Sequence, residues 1–241
     1  MGRHSYRRQT EAHPGHRTVS GGLARAAVFG MSDGLISNVS LVIGFSGSGV
    51  KSSLVRLAGV AGAIAGAVSM AAGEWISISA QNELVEREVA VERRELEVNS
   101  RAEQAELAQM YEDHGMEEST ARQAAKEVMR SADTALAVHT REEFGIDPFD
   151  LPSPLSAAAL SLICFLIGAI LPVIPWMVGG GNGAKLTSIL IGVVAAAAIG
   201  WAIGTFGARS RQLTMFRQVG ILLVACSVTY GIGQLLNVSV N

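Results

Sequence analysis

Apolar residues fall into five long runs, at about 26–47, 54–80, 155–178, 186–207 and 214–236. Each is near the ~20 residues that a helix needs to cross a bilayer. No alternating strand pattern occurs anywhere, so the chain reads as an all-α membrane protein with five transmembrane helices. The stretch between runs two and three is polar and helical in pattern. No Gly or Pro occurs between Glu74 and His114, so run two is expected to continue as one helix until Gly115 ends it. A second helix is expected from about Glu117 to Thr140, with Ser119 and Thr120 near its start. Pro148, Pro152 and Pro154 then lead into run three, and Pro172 and Pro175 predict a kink near its far end.

Basic residues orient the runs. Arg3, Arg7, Arg8, Arg17, Arg25, Arg209, Arg211 and Arg217 fall on one side, and only Lys51, Arg56 and Lys185 on the other. The positive-inside rule therefore predicts a cytoplasmic N-terminus, an external C-terminus and a cytoplasmic insert between spans two and three. The expected organisation is a flexible cytoplasmic tail at 1–22, spans one and two at 23–80, the helical insert at 81–150 and spans three to five at 151–241.

Composition sharpens this division. The chain is 49% hydrophobic and 17% charged, with net charge −2 and mean hydropathy +0.33. Of 21 acidic residues, 18 lie in 81–150 against eight Lys and Arg, a formal charge of −10 there and +8 elsewhere. An acidic module is inserted into a basic, apolar body. Nothing here suits nucleic acid. Cys164 and Cys226 lie inside apolar runs and read as small buried hydrophobes. His4, His13 and His16 mark the N-terminal tail, which reads as solvated. No secretory signal is evident, and a short chain of this kind suits the plasma membrane of a microbe, or a vacuolar membrane if eukaryotic.

Within the acidic module, Glu92, Glu95, Glu103 and Glu106 form two Glu-x-x-Glu pairs. On one continuous helix they fall within an arc of about 80°, with Glu88 and Met110 extending the stripe. Carboxylate oxygens suit Fe²⁺, Mn²⁺, Mg²⁺ or Ca²⁺, and Zn²⁺ is tolerated. The alternative is a solvated face neutralised by Arg87, Arg93, Arg94 and Arg101. Ionisable groups inside the spans are a second signal. Asp33 lies about 12 Å deep in span one, and Glu74 at similar depth in span two. Met70 stands one turn from Glu74 and adds a thioether, a ligand for transition metals and not for Mg²⁺ or Ca²⁺. Gly59, Gly62, Gly66 and Gly73 form a small-residue face on span two, which permits close helix approach within the chain or across a dimer.

The runs Asp33-Gly-Leu-Ile-Ser-Asn-Val-Ser-Leu-Val-Ile-Gly-Phe and Gly62-Ala-Ile-Ala-Gly-Ala-Val-Ser-Met-Ala-Ala-Gly-Glu-Trp resemble the vacuolar iron transporter family, and the likeness extends from about 23 to 236. It implies a homodimer exporting Fe²⁺ from the cytosol in exchange for protons. It implies an ion path near the dimer axis with Asp33 and Met70, and a cytoplasmic metal-binding domain whose glutamates match Glu92, Glu95, Glu103, Glu106 and Glu143. Plant members carry a Met pair just before the last glutamate; here His139 and Thr140 stand there. His139 becomes a candidate ligand in its place, and Mn²⁺, Co²⁺ and Zn²⁺ join Fe²⁺ as possible substrates. Glu74 suits the shorter microbial relatives.

The expected function is a divalent-metal/H⁺ antiporter, a secondary transporter and not an enzyme. Asp33, Met70 and Glu74 pass the ion, and the glutamate module collects it. A membrane-anchored metal buffer or sensor without transport is the alternative. A carboxylate di-iron oxidase would need Glu-x-x-His pairs, and none occurs.

Overall fold

The computed structural model describes residues 22–207 and 210–236. The histidines of the N-terminal tail and Arg209 lie outside the described residues. Among the described residues nine α-helices follow one another: α1 (Gly22–Gly47), α2 (Ser52–Val98), α3 (Ser100–Asp113), α4 (Glu118–Val128), α5 (Ala132–Phe144), α6 (Pro154–Ile170), α7 (Ile174–Val178), α8 (Gly181–Phe206) and α9 (Arg211–Leu236). No strand occurs among the described residues. Five helical stretches among the described residues are long and apolar enough to cross a membrane: Ala24–Gly47, α2, Pro154–Val178, α8 and α9. The expected kink is a 3-10 turn at Leu171–Val173 between α6 and α7. Ring constraints at Pro172 and Pro175 remove two backbone donors there, and Ser188 Oγ donates to the Pro172 carbonyl at 2.7 Å.

Helix α1 is the hub. Leu35, Val39, Val42 and Ile43 pack with Val55, Val173, Trp176, Ala196 and Leu222 from the helices around it. Glycine permits the closest crossings. A Cβ on Gly34 would collide with the Phe165 carbonyl, and one on Gly168 with the Met31 carbonyl. The small-residue face of α2 is used mostly inside the chain: Gly59 meets Val42 and Val173, Gly62 meets Leu41 and Asn38, and Gly66 meets the Phe165 ring. Only Gly73 of that set has no neighbour within 4 Å. Leu57, Ile64, Val68, Trp75 and Ile76 stay exposed on the opposite side of α2, as lipid-facing positions would.

With 47 residues, α2 is about 70 Å long, more than twice the ~30 Å hydrocarbon core. Its far half carries the small helical layer α3–α5, packed on Leu107, Ala108 and Ala125. Two expectations fail here. The helix does not run unbroken to Gly115: it stops at Val98, and Asn99 (φ −118°, ψ 26°) leaves the helical region before α3 starts. Asn99 caps the new helix through its carbonyl, which accepts from Ala102 N at 2.7 Å and Glu103 N at 3.2 Å. The second expected helix is also two. Ser131 Oγ accepts from Thr134 N at 3.4 Å and starts α5 afresh. Gly115 (φ 92°) and Gly145 (φ 67°) close α3 and α5 in the left-handed region, where a Cβ is penalised.

Candidate functional site

The break at Asn99 rearranges the glutamates. On a straight helix, Glu92 and Glu103 would stand about 16 Å apart along the axis. Instead Glu92 from α2, Glu103 from α3, and His139 and Glu143 from α5 each offer a ligand atom within 4.8 Å of the others. His139 Nδ1 lies 3.2 Å from Glu92 Oε1, 3.7 Å from Glu143 Oε1 and 3.8 Å from Glu103 Oε2. The expectation that four glutamates share one helix face is thus corrected: Glu92 and Glu103 turn inward at 3% and 6% exposure, while Glu95 and Glu106 stay exposed at the rim. Thr140 is not turned to the cluster; its hydroxyl donates to the Leu136 carbonyl at 2.8 Å.

Among the described residues, neither ring nitrogen of His139 has a hydrogen-bond partner, and neither does Glu92 Oε1. Burying polar groups unpaired is costly. Electrostatics express the same cost. Burial, then repulsion from Glu143, Glu103, Glu95 and Glu106, pushes the Glu92 carboxyl from an ordinary 4.5 to about 7. Burial also raises Glu103 and Glu143, helped by Glu106 in each case. His139 is fully buried, and desolvation lowers its pKa against the pull of Glu103 and Glu106. A neutral imidazole with a free lone pair beside three carboxylates is a donor set for a divalent first-row metal. A cation there would relieve both the repulsion and the missing hydrogen bonds.

In the bundle, Asp33, Met70 and Glu74 line one cleft of about 550 Å³ between α1, α2 and α9, together with Arg25 and Ser32. Asp33 and Met70 also line an adjoining cleft of about 400 Å³ with Ser37, Asn38, Gly62 and Ser69. Asp33 is exposed in the single chain and accepts from Ser37 Oγ at 3.1 Å. Glu74 lies 4.0 Å from Arg25 Nη2. Sequence reasoning did not foresee this last pair, because it placed Arg25 just before span one and Glu74 well inside span two. Nor did it foresee the helix break, where the residue that leaves the helical region is Asn99, a poor helix former favoured at helix starts.

A family model described as the VIT family matches residues 24–234. The chain belongs to the VIT family. Among curated relatives, "Vacuolar iron transporter" from Acanthamoeba castellanii is 33% identical over 238 residues, covering 93% of this chain and 84% of the relative. "Vacuolar iron transporter 1" from rice is 28% identical over 223 residues, covering 92% and 88%. Its namesake from Arabidopsis thaliana is 26% identical, covering 90% and 88%. The VIT-family match takes in both the bundle cleft and the buried glutamate–histidine cluster.

Proposed function

We propose that this VIT-family chain exports a divalent transition metal, Fe²⁺ first among the candidates, from the cytosol in exchange for protons. The buried cluster of Glu92, Glu103, His139 and Glu143, with no partner for either His139 nitrogen, is the observation that carries the reading. In this account the insert is cytoplasmic and collects metal, with Glu95 and Glu106 drawing cations to its rim. Asp33, Met70 and Glu74 form the path through the bilayer. The names of the relatives support iron as cargo; the donor set also admits Mn²⁺, Co²⁺ and Zn²⁺.

Proton exchange follows from competition for the same oxygens. Metal binds the ionised carboxylates, and a proton arriving from the far side displaces it. An exposed Asp33 in an open cleft of its own bundle supports a homodimer that encloses the cleft, because a bare carboxylate against lipid is costly. The test is reconstitution into liposomes holding a pH dye and a metal indicator. Wild-type protein is expected to admit Fe²⁺ or Mn²⁺ and release protons in step. Metal bound by the protein but not moved would favour the membrane-anchored buffer instead.

A further inference from the structure

Asn38 sits in the middle of span one, five residues beyond Asp33, and is 2% exposed. Its amide nitrogen donates to two backbone carbonyls, Gly59 O at 3.0 Å on α2 and Ala169 O at 2.5 Å on α6. Both N–H bonds are therefore committed, and the amide orientation is set: a flip would point the side-chain oxygen at two carbonyls. That leaves Oδ1, which accepts no hydrogen bond among the described residues. An unsatisfied amide oxygen at this depth is expensive, since no bulk water is at hand.

Asn38 lines the cleft shared with Asp33, Ser37, Ser69 and Met70, and Oδ1 is buried in its wall. Beside Oδ1 stands Gly62, where an added Cβ would lie 3.1 Å from the oxygen and would collide with Leu41 Cδ2. Two features then coincide: an oxygen held rigidly by two donors on its own amide yet left without a partner, and a glycine with a single leucine side chain packed beside it.

We infer that Asn38 Oδ1 is a metal ligand in the bundle cleft, one station further along span one than Asp33. This deepens the proposed transport reading and rests on it for direction. An amide oxygen is a neutral, hard ligand. It favours Fe²⁺ and Mn²⁺ over softer ions without holding them as a second carboxylate would. Beside the Met70 thioether it makes a mixed hard and soft pair, so removing it shifts preference toward the softer cation.

The test uses the full chain with His139→Ala and Glu92→Gln added, so that binding at the bundle cleft is read without the insert cluster. Mn²⁺ binding is followed by electron paramagnetic resonance, and Mn²⁺ and Co²⁺ entry is compared in liposomes. Asn38→Leu is expected to weaken Mn²⁺ binding about tenfold and to lower the Mn²⁺/Co²⁺ rate ratio. Gly62→Ala, which crowds the oxygen and the Leu41 side chain but removes neither amide donor, is expected to move both readings the same way. Asn38→Asp keeps an oxygen ligand while losing the two donor bonds, and is expected to retain Mn²⁺ binding. Equal loss in the Leu and Asp variants would make Asn38 only a staple between α1, α2 and α6 and would overturn the inference. So would unchanged Mn²⁺ binding in Asn38→Leu. Failure of the transport reading looks different: the parent protein would bind Mn²⁺ yet move no metal, and the binding comparison would still decide the role of Asn38.

Discussion

Two groups of carboxylates in this protein meet opposite fates. Glu92, Glu103 and Glu143 are drawn inward around a fully buried histidine, and every wall of that cluster comes from the same chain. Asp33 and Glu74 line an open cleft, with Asp33 exposed. A closed cluster holds its charge at the cost of raised pKa values and so is ready to trade protons for a cation. On the proposed reading, a second copy of the chain closes the open cleft, and the difference is what a collector and a passage require: one concentrates an ion, the other lets it go.

The strongest way to break this contrast is at Asp33. Asp33→Ala is expected to abolish metal entry into liposomes, while calorimetry still records metal bound at the insert. Loss of both would mean the two groups are not separate. Next comes His139. His139→Ala is expected to weaken metal binding by at least the roughly 10- to 100-fold that loss of an outer-shell partner of a metal ligand costs.

A pH series sharpens the comparison further. The Glu92 carboxyl is raised from 4.5 to about 7 in the folded insert. A raised carboxyl favours the fold while protonated. That contribution is complete below pH 4.5 and is lost as pH rises through 7. Metal-free protein is therefore expected to show smaller amide protection factors in 100–144, corrected for base-catalysed intrinsic exchange, at pH 8 than at pH 5.5. Bound metal should reverse that trend in protection, since affinity rises as Glu92 gives up its proton. His139 acts in the opposite sense: its lowered pKa takes stability away only as pH falls through that value. The smallest expected effect is at the rim. Glu106→Gln should shift the midpoint of metal binding to lower pH, because Glu106 adds repulsion to Glu92, Glu103 and Glu143.

The bundle was more legible in the sequence than the insert. Length and hydropathy of a span are properties of consecutive residues, and four of the five apolar runs begin and end within about five residues of the observed stretches, while the second is only the first part of a helix that runs on to Val98. The ligand types in the insert were legible as well; their arrangement was not. Glu92 and Glu103 are separated by eleven residues, as are Glu95 and Glu106. Periodicity on a continuous helix treats both pairs alike, and only the break at Asn99 decides which pair turns inward. Ser131 hides the same way, because Ala and Leu on either side of it continue a helical pattern. The glycines misled in another sense. Their spacing announces close contact without naming the partner, and Gly59, Gly62 and Gly66 spend it on residues of their own chain. On α8 the same device, Ala184, Ser188, Gly192, Ala196, Gly200 and Gly204, is buried throughout.

Collector and passage separate most directly in the dependence of transport rate on metal concentration, measured in liposomes with the pH dye inside. With both Glu92→Gln and His139→Ala, the half-saturating metal concentration is predicted to rise while the saturating rate stays near that of the parent. Asp33→Ala is predicted to give no metal-dependent proton release at any concentration. A collapse of the saturating rate in the insert variant, or full transport by Asp33→Ala, would contradict the account.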